Sequence, residues 1–360
     1  MTSPAQQDEV AANSHFGKLW HNTDFLKLWA AQSISLMGTQ LTSLALPLIA
    51  ALTLDPSPLQ MGLLTAAARA PFLLVSLPAG VWADRMRRRP ILIATDLVSA
   101  VLLLSIPLMA ATGQLQLPQL YVVIFGIGAF SVLSQIAHRS YVPSLVGHAQ
   151  LVDANSKLQI SYSAADSAGP GLGGLLIQLV SAPLAVLLDA VSFLVSAFLL
   201  GTIDKSEPTP LRPVQGESFV HEVSVGLRTL FGHFLLRPIV WTQTTASVCK
   251  SATVALYVLY ATKELNLGPA ILGFIFAIGG LCAIPGALVA QRVASRFGTG
   301  WAMLGGWTLA ALAGFLVSLA AGPTMVVITV LAVARAVDGA ADVIGGGASS
   351  NELDGGPPIG

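Results

Sequence analysis

Four ionisable side chains fall inside apolar runs of the sequence: Arg69, Asp166, Lys250 and Arg335. Ionised groups at such positions are costly in hydrocarbon, so they normally face a cavity or one another. Asp166 has the residue type best suited to chemistry. A carboxyl group shielded from water can exist protonated or ionised, which suits a group that takes up and releases protons. Arg69 and Lys250 are the candidate counter-ions for it. The plainer alternative is a structural hydrogen bond from Asp166 to a neighbouring Ser or Thr, and the residues alone leave both open. Asp96 and Asp189 lie nearer the ends of their runs, where water-facing structural roles are favoured over substrate contact.

Just beyond Asp166 stands Gly169-Pro170-Gly171-Leu172-Gly173-Gly174. A dinucleotide-binding turn would need a preceding strand and a βαβ unit. Here the glycines interrupt an apolar helical run, so close helix packing and a proline kink explain them better. The 6 His and 2 Cys show no metal-ligand spacing, and no serine-hydrolase elbow is found. Cys249 and Cys282 read as packing residues. No cofactor and no enzymatic reaction is expected.

The elements that position these residues follow from composition. Hydrophobic residues make up 54% of the 360 and charged residues 10%, with mean hydropathy +0.73. Soluble domains carry about 25% charged residues, and this sequence lacks the polar surface such a domain needs. Lipid removes that need. Lys plus Arg and Asp plus Glu both number 18, so nothing in the charge suggests a nucleic-acid partner. The first 18 residues are polar and lack the apolar core of a cleaved signal peptide.

A helix needs about 20 apolar residues to cross a bilayer. Ten spans are predicted, near 28–54, 59–83, 91–112, 119–138, 158–180, 184–203, 238–262, 269–291, 300–320 and 323–345. The chain then divides into an N-terminal segment (1–27), a six-helix half (28–203), a charged, Pro-rich central loop (204–237), four further helices (238–345) and a polar tail (346–360) that reads as disordered. With the N-terminus inside, 14 of the 18 Lys and Arg fall in inside segments. Lys263 alone falls in an outside loop. That asymmetry predicts a cytoplasmic N-terminus.

Leu77-Pro78-Ala79-Gly80-Val81-Trp82-Ala83-Asp84-Arg85 ends the second span, and Ile284-Pro285-Gly286-Ala287-Leu288-Val289-Ala290-Gln291-Arg292 ends the eighth. Both place Pro, small residues and Arg at one offset. A parallel duplication of a six-helix unit would produce that pattern.

Gly80-Val81-Trp82-Ala83-Asp84-Arg85-Met86-Arg87-Arg88-Arg89 resembles the signature between helices two and three of the major facilitator superfamily. It has the leading Gly80, the Asp84-Arg85 pair and the basic run through Arg88 and Arg89. It departs at Arg87, where many members have Gly. Ala165 with Gly169, Pro170, Gly173 and Gly174 is similar to the fifth-helix antiporter signature, Ala165 replacing an earlier Gly. Phe25-Leu26-Lys27-Leu28-Trp29, Ser140-Tyr141-Val142-Pro143 and Asp189-Ala190-Val191-Ser192-Phe193 resemble the macrolide-efflux and siderophore-export branch. The fourth-helix Arg of many proton-coupled exporters has no mid-span match, Arg139 lying at the inside end instead.

The resemblance implies an all-α integral membrane protein, with six plus four spans of an expected six plus six. It implies a secondary transporter in the bacterial inner membrane, exporting a drug, macrolide-like compound or siderophore by proton antiport. Its partners would be that small molecule, protons and the bilayer, and a complete chain is expected to be a monomer. Gly80, Asp84, Arg85, Arg88 and Arg89 would form a gating loop, with Asp84 facing the N-terminus of an eleventh helix. Asp166, Arg69 and Lys250 are the proton-coupling or substrate candidates. The polar ending after Val337 reads as a truncation, and a non-transporting fragment is the alternative expectation.

Overall fold

The computed structural model is all-α, with no strand among the described residues. The structure describes residues 18–147, 150–205, 207, isolated positions from 224 to 254, 256–265, 267–318 and 324–354. A short 3-10 turn, Lys18–His21, leads into α1 (Thr23–Thr53). Asn22 caps α1, its Oδ1 accepting from the Phe25 N–H at 3.1 Å. The predicted turn at Asp55–Pro58 opens α2 (Pro58–Arg85) with a reciprocal cap. The Ser57 N–H donates to Gln60 Oε1 at 2.8 Å, and the Gln60 N–H donates to Ser57 Oγ at 3.3 Å. Proline at the first helical position costs no hydrogen bond. Then come α3 (Arg88–Ala111), α4 (Leu117–Val146), α5 (Leu151–Val180) and α6 (Ala182–Gly201). Residues 256–263 are helical and precede α7 (Pro269–Phe297), α8 (Thr299–Ser318) and α9 (Thr324–Asp354). Every backbone polar group must be satisfied within its own helix at membrane depth, which is why apolar runs of this length fold this way.

Among the described residues, seven helices are long and apolar enough to cross a membrane. Phe72, Leu73, Leu74, Phe198, Trp301 and Phe315 are exposed on them, as lipid contact allows. Several helices outrun their predicted spans. α4 continues to Val146 and α5 begins at Leu151, because amphipathic turns extend beyond the hydrocarbon. The predicted disordered tail is corrected in part. α9 runs on to Asp354, so 346–354 are helical; no proline interrupts the chain before Pro357, and the helix needs only its own backbone bonds. The remainder of the tail, residues 1–17, Lys250, most of the seventh predicted span and most of the central loop lie outside the described residues.

The proposed duplication has a counterpart in packing. α2 and α3 both pack on α4; α7 and α8 both pack on α9. Gly128 of α4 lets α2 approach, since a Cβ there would sit 2.9 Å from Pro71 Cγ. Gly339 of α9 meets Gly279 of α7 still more closely. The two halves join through α5 and α7.

Two cores show where the halves are closed. At the end of the bundle away from Arg85–Arg89, one core is continuous across both halves. It includes Leu48, Ile49, Met61 and Leu103 from the first half and Tyr257, Leu272, Ile275 and Leu331 from the second. At the basic end, a separate core of Phe25, Leu28, Ile91, Tyr141, Leu145 and Leu200 draws, among the described residues, on the first half. Among the described residues, burial of apolar surface therefore joins the halves at the far end.

Lys263, the exception to the basic-residue asymmetry, pairs with Asp55 across the closed end. Asp55 has φ 44°, a left-handed conformation uncommon for a non-glycine residue. Exposed ion pairs contribute about 0.2–1 kcal/mol, enough to bias two states of similar energy. Lys263→Glu places like charges together and is expected to open the far end. Spin labels at Ser57 and Glu264 should then show a longer distance population; an unchanged distribution would remove the latch.

Candidate functional site

α5 carries three jobs on three faces. Gly169 faces α1, where a Cβ would lie 2.5 Å from Gln40 Cβ. Pro170, Gly174 and Ser167 face α7, in contact with Gly273 and Gly280. Ser167 Oγ donates to the Gly280 carbonyl at 3.3 Å. Asp166 lies on the flank between these faces and is exposed. Gln40 Nε2 donates to Asp166 Oδ1 at 3.2 Å. The expected structural partner, a neighbouring Ser or Thr, is thus replaced by Gln40 from another helix.

Arg69 of α2 is also exposed and makes no ion pair with Asp166 within 4 Å among the described residues. The other candidate counter-ion, Lys250, lies outside the described residues. The Tyr162 hydroxyl, one turn before Asp166, feels the charges of both Asp166 and Arg69, so the three share one polar neighbourhood. Glutamine gives the carboxylate a hydrogen bond without adding a charge. Sequence reasoning missed Gln40, although a glutamine within an apolar run was a visible signal.

The crossing of α5 and α7 is tight above Asp166 and open below it. A Cβ on Gly174 would meet the Pro269 carbonyl at 2.5 Å and Gly273 Cα at 2.7 Å. The Gln178 side chain accepts from the Ala270 N–H at 3.2 Å, satisfying an orphan donor at the start of α7 from the opposite half. Toward the basic end the helices part. A cleft of about 1020 Å³ opens there, lined by Asn155, Ser156, Gln159 and Ser163 of α5 and by Leu281 and Ile284 of α7. Val152, Ile160, Ala164 and Ala168 of α5 complete a mainly apolar lining with a few polar groups among it, a surface suited to amphipathic molecules. The predicted helix-kink motif is therefore a backbone contact between halves, sited where they would pivot.

The basic loop is tied into the first half. Glu207, its side chain 4% exposed, accepts from the Arg88 N–H at 2.7 Å, the Arg89 N–H at 3.2 Å and Arg88 Nη1 at 3.5 Å. Its carboxylate sits at the start of α3, where the helix dipole favours negative charge. Arg89 Nε donates to the Leu200 carbonyl at 2.9 Å and Nη2 to that of Gly201, closing the end of α6. Lys27 donates to the Thr202 carbonyl, and Lys205 to that of Leu145 at 2.8 Å. Asp24 accepts from the Asp204 and Lys205 N–H groups, both at 3.1 Å. Arg85 ends α2, and a Cβ on Gly80 would meet open space. The side chain of Asp84 lies outside what the structure describes.

Asp96 and Asp189 correct the expectation of water-facing roles: they are 5% and 1% exposed. Asp189 of α6 accepts from Thr42 of α1 and from Ser192 Oγ at 3.1 Å. Gly38 makes the space, since a Cβ there would lie 2.3 Å from Asp189 Oδ1. At Asp189 these bonds take the place of water; Oδ2 of Asp96 is buried without a hydrogen-bond partner.

Comparison with known proteins agrees with this architecture. Residues 28–351 match the family model of the Major Facilitator Superfamily. The uncharacterized MFS-type transporter YfiS of Bacillus subtilis (strain 168) is 31% identical over 175 residues, covering 49% of this chain and 41% of that protein. The multidrug efflux pump Tap of Mycolicibacterium fortuitum is 26% identical over 272 residues, covering 73% of this chain and 66% of that protein. The chain thus spans less than two thirds of either relative. A bacterial homologue of the iron transporter ferroportin, in its inward-facing state, shares the fold, with TM-score 0.66 and 19% identity over 93% of this chain and 85% of that one. From its helices, its duplicated packing and this match over most of its length, the chain belongs to the Major Facilitator Superfamily.

Proposed function

We propose that this multi-pass membrane protein is a secondary active transporter that exports an amphipathic small molecule in exchange for protons. The N-terminus and the basic end face the cytoplasm of a bacterial cell. The cargo is a drug, a macrolide-like compound or a siderophore. The observation that carries the reading is Asp166: an exposed carboxylate mid-way along α5, held by Gln40, beside the pivot and above the cleft. The Lys and Arg asymmetry supports the orientation, and similarity to a multidrug efflux pump supports the direction. In this orientation the cleft is open to the cytoplasm. Cargo enters there, a proton on Asp166 weakens its bond with Gln40, and the halves rock about the α5–α7 crossing. The gating loop anchors the cytoplasmic ends of the first half during that movement.

The full chain in proteoliposomes, with ethidium as probe, tests the reading. An imposed pH gradient should drive ethidium flux, and Asp166→Asn should lower it by at least about tenfold, the effect of a proton carrier placed in the transport step. Insertion and yield should be unchanged. Flux that survives in the variant with the same pH dependence returns Asp166 to a structural role. An unaltered chain that moves neither ethidium nor erythromycin under any gradient ends the transport reading.

A further inference from the structure

We propose that Arg335 of α9, with Tyr257 and Phe276, forms an oxyanion-binding site in the second half, taking the carboxylate head of an amphipathic ligand. This deepens the transport reading and rests on it for the identity of the ligand as cargo.

The geometry begins with Arg335. Its Nη1 donates to Asp338 Oδ2 at 2.8 Å, one turn further along α9. Its guanidinium carbon lies 4.4 Å from the centroid of Phe276 and 5.8 Å from that of Tyr257. The two rings meet edge to face at 5.5 Å, so the cation rests on an aromatic floor that holds its plane. Gly279 of α7 packs against the Arg335 carbonyl, fixing the backbone from which the side chain springs.

A guanidinium presents two edges to acidic groups. Asp338 engages Nη1. The other edge, Nε with Nη2, has no hydrogen-bond partner among the described residues, and Nε is fully buried. The Tyr257 hydroxyl, on a residue 4% exposed, is also buried without a partner. A buried donor left unpaired costs free energy, and two occur in one cluster. The Nε/Nη2 edge holds parallel N–H groups that match the two oxygens of a carboxylate. The Arg335 side chain as a whole is 20% exposed. An oxyanion on this edge, with an apolar body against the rings, satisfies what the protein leaves open.

Asp338 sets the strength of the site, because it is a negative charge on the same guanidinium as the ligand. Removing that charge should help an anion and do nothing for a neutral molecule. The test measures equilibrium binding to the full chain in nanodiscs of zwitterionic lipid, by energy transfer from tryptophan. The probes share one apolar body: pyrenebutyrate, its uncharged amide and a pyrenebutyl trimethylammonium. Pyrenebutyrate should bind best. Asp338→Asn should tighten it by about tenfold, and Tyr257→Phe should weaken it by about tenfold, each about 1.4 kcal/mol. The amide should be unmoved by either substitution. Equal binding of the three head groups overturns the proposal, and so does a parallel change of acid and amide in the variants. Binding needs no gradient. Anion preference without pH-driven flux would leave this site standing and remove the transport reading; flux without anion preference would do the reverse.

Discussion

Gly273→Val is expected to break the junction of the two halves and to abolish proton-driven flux. A Cβ on Gly273 would stand 2.4 Å from the Pro170 carbonyl oxygen and 2.7 Å from Gly174 Cα. Those are backbone atoms, so no rotamer change relieves the clash, and α5 must move away from α7. Overpacking of a close contact costs about 1–3 kcal/mol, and a backbone neighbour places this case at or above the top of that range. The Pro170–Gly171–Gly174 ridge would lose its fit against Gly273, Ala277 and Gly280, and with it the contact about which we propose that the halves move. Gly62→Val is the control, because a Cβ at Gly62 meets nothing within 4 Å. Unfolding in a denaturing detergent series should begin much earlier for Gly273→Val than for the control. Coincident transitions would show that the crossing does not hold the halves together.

The second large effect belongs to Glu207. Its buried carboxylate accepts two backbone N–H groups at the start of α3 and pairs with Arg88. Glu207→Ala leaves those donors and a partly buried guanidinium without their acceptor. Breaking a buried pair by removing one partner costs roughly 3–5 kcal/mol. The change should also loosen residues 202–205, which Lys27 and Asp24 hold against the first half. Thermal unfolding of the purified chain should fall by several degrees, and protease cleavage near residue 207 should accelerate. Glu207→Gln keeps the shape and should recover part of the loss. A melting point equal to the unaltered protein would mean that the carboxylate contributes nothing net.

The site was legible only in part. Asp166 stood out because an acid in an apolar run is costly, and that argument needs no coordinates. Its partner was hidden: Gln40 is 126 positions away, and no local pattern joins them. Arg69 and Lys250 stood out as candidates at mid-depth, since sequence position gives depth along a span but not direction around it. Asp96 and Asp189 were misplaced for the same reason. Their distance from a helix end was right, but both are buried by packing from other helices; at Asp189 that helix is α1, whose Thr42 and Gly38 supply the bond and the space. Glu207 lay in a charged loop, where a buried side chain was unexpected.

Hydrophobicity and backbone physics let the sequence by itself determine the helices, their membrane character and the duplicated order of the halves. In lipid each span satisfies its own hydrogen bonds, so a run of apolar residues is enough to specify a helix. Glycine and proline positions likewise announced close packing near residue 170. Which helices meet there was decided only by the tertiary structure. Gly279 and Gly280 are adjacent in the chain, yet one opens α7 to Arg335 of α9 and the other to Ser167 of α5. The closed far end, the cleft at the basic end, the Gln40–Asp166 bond and the unfilled edge of Arg335 all depend on rotation about helix axes. That rotation is set by side-chain packing among segments distant in sequence, which a pattern within one helix does not contain.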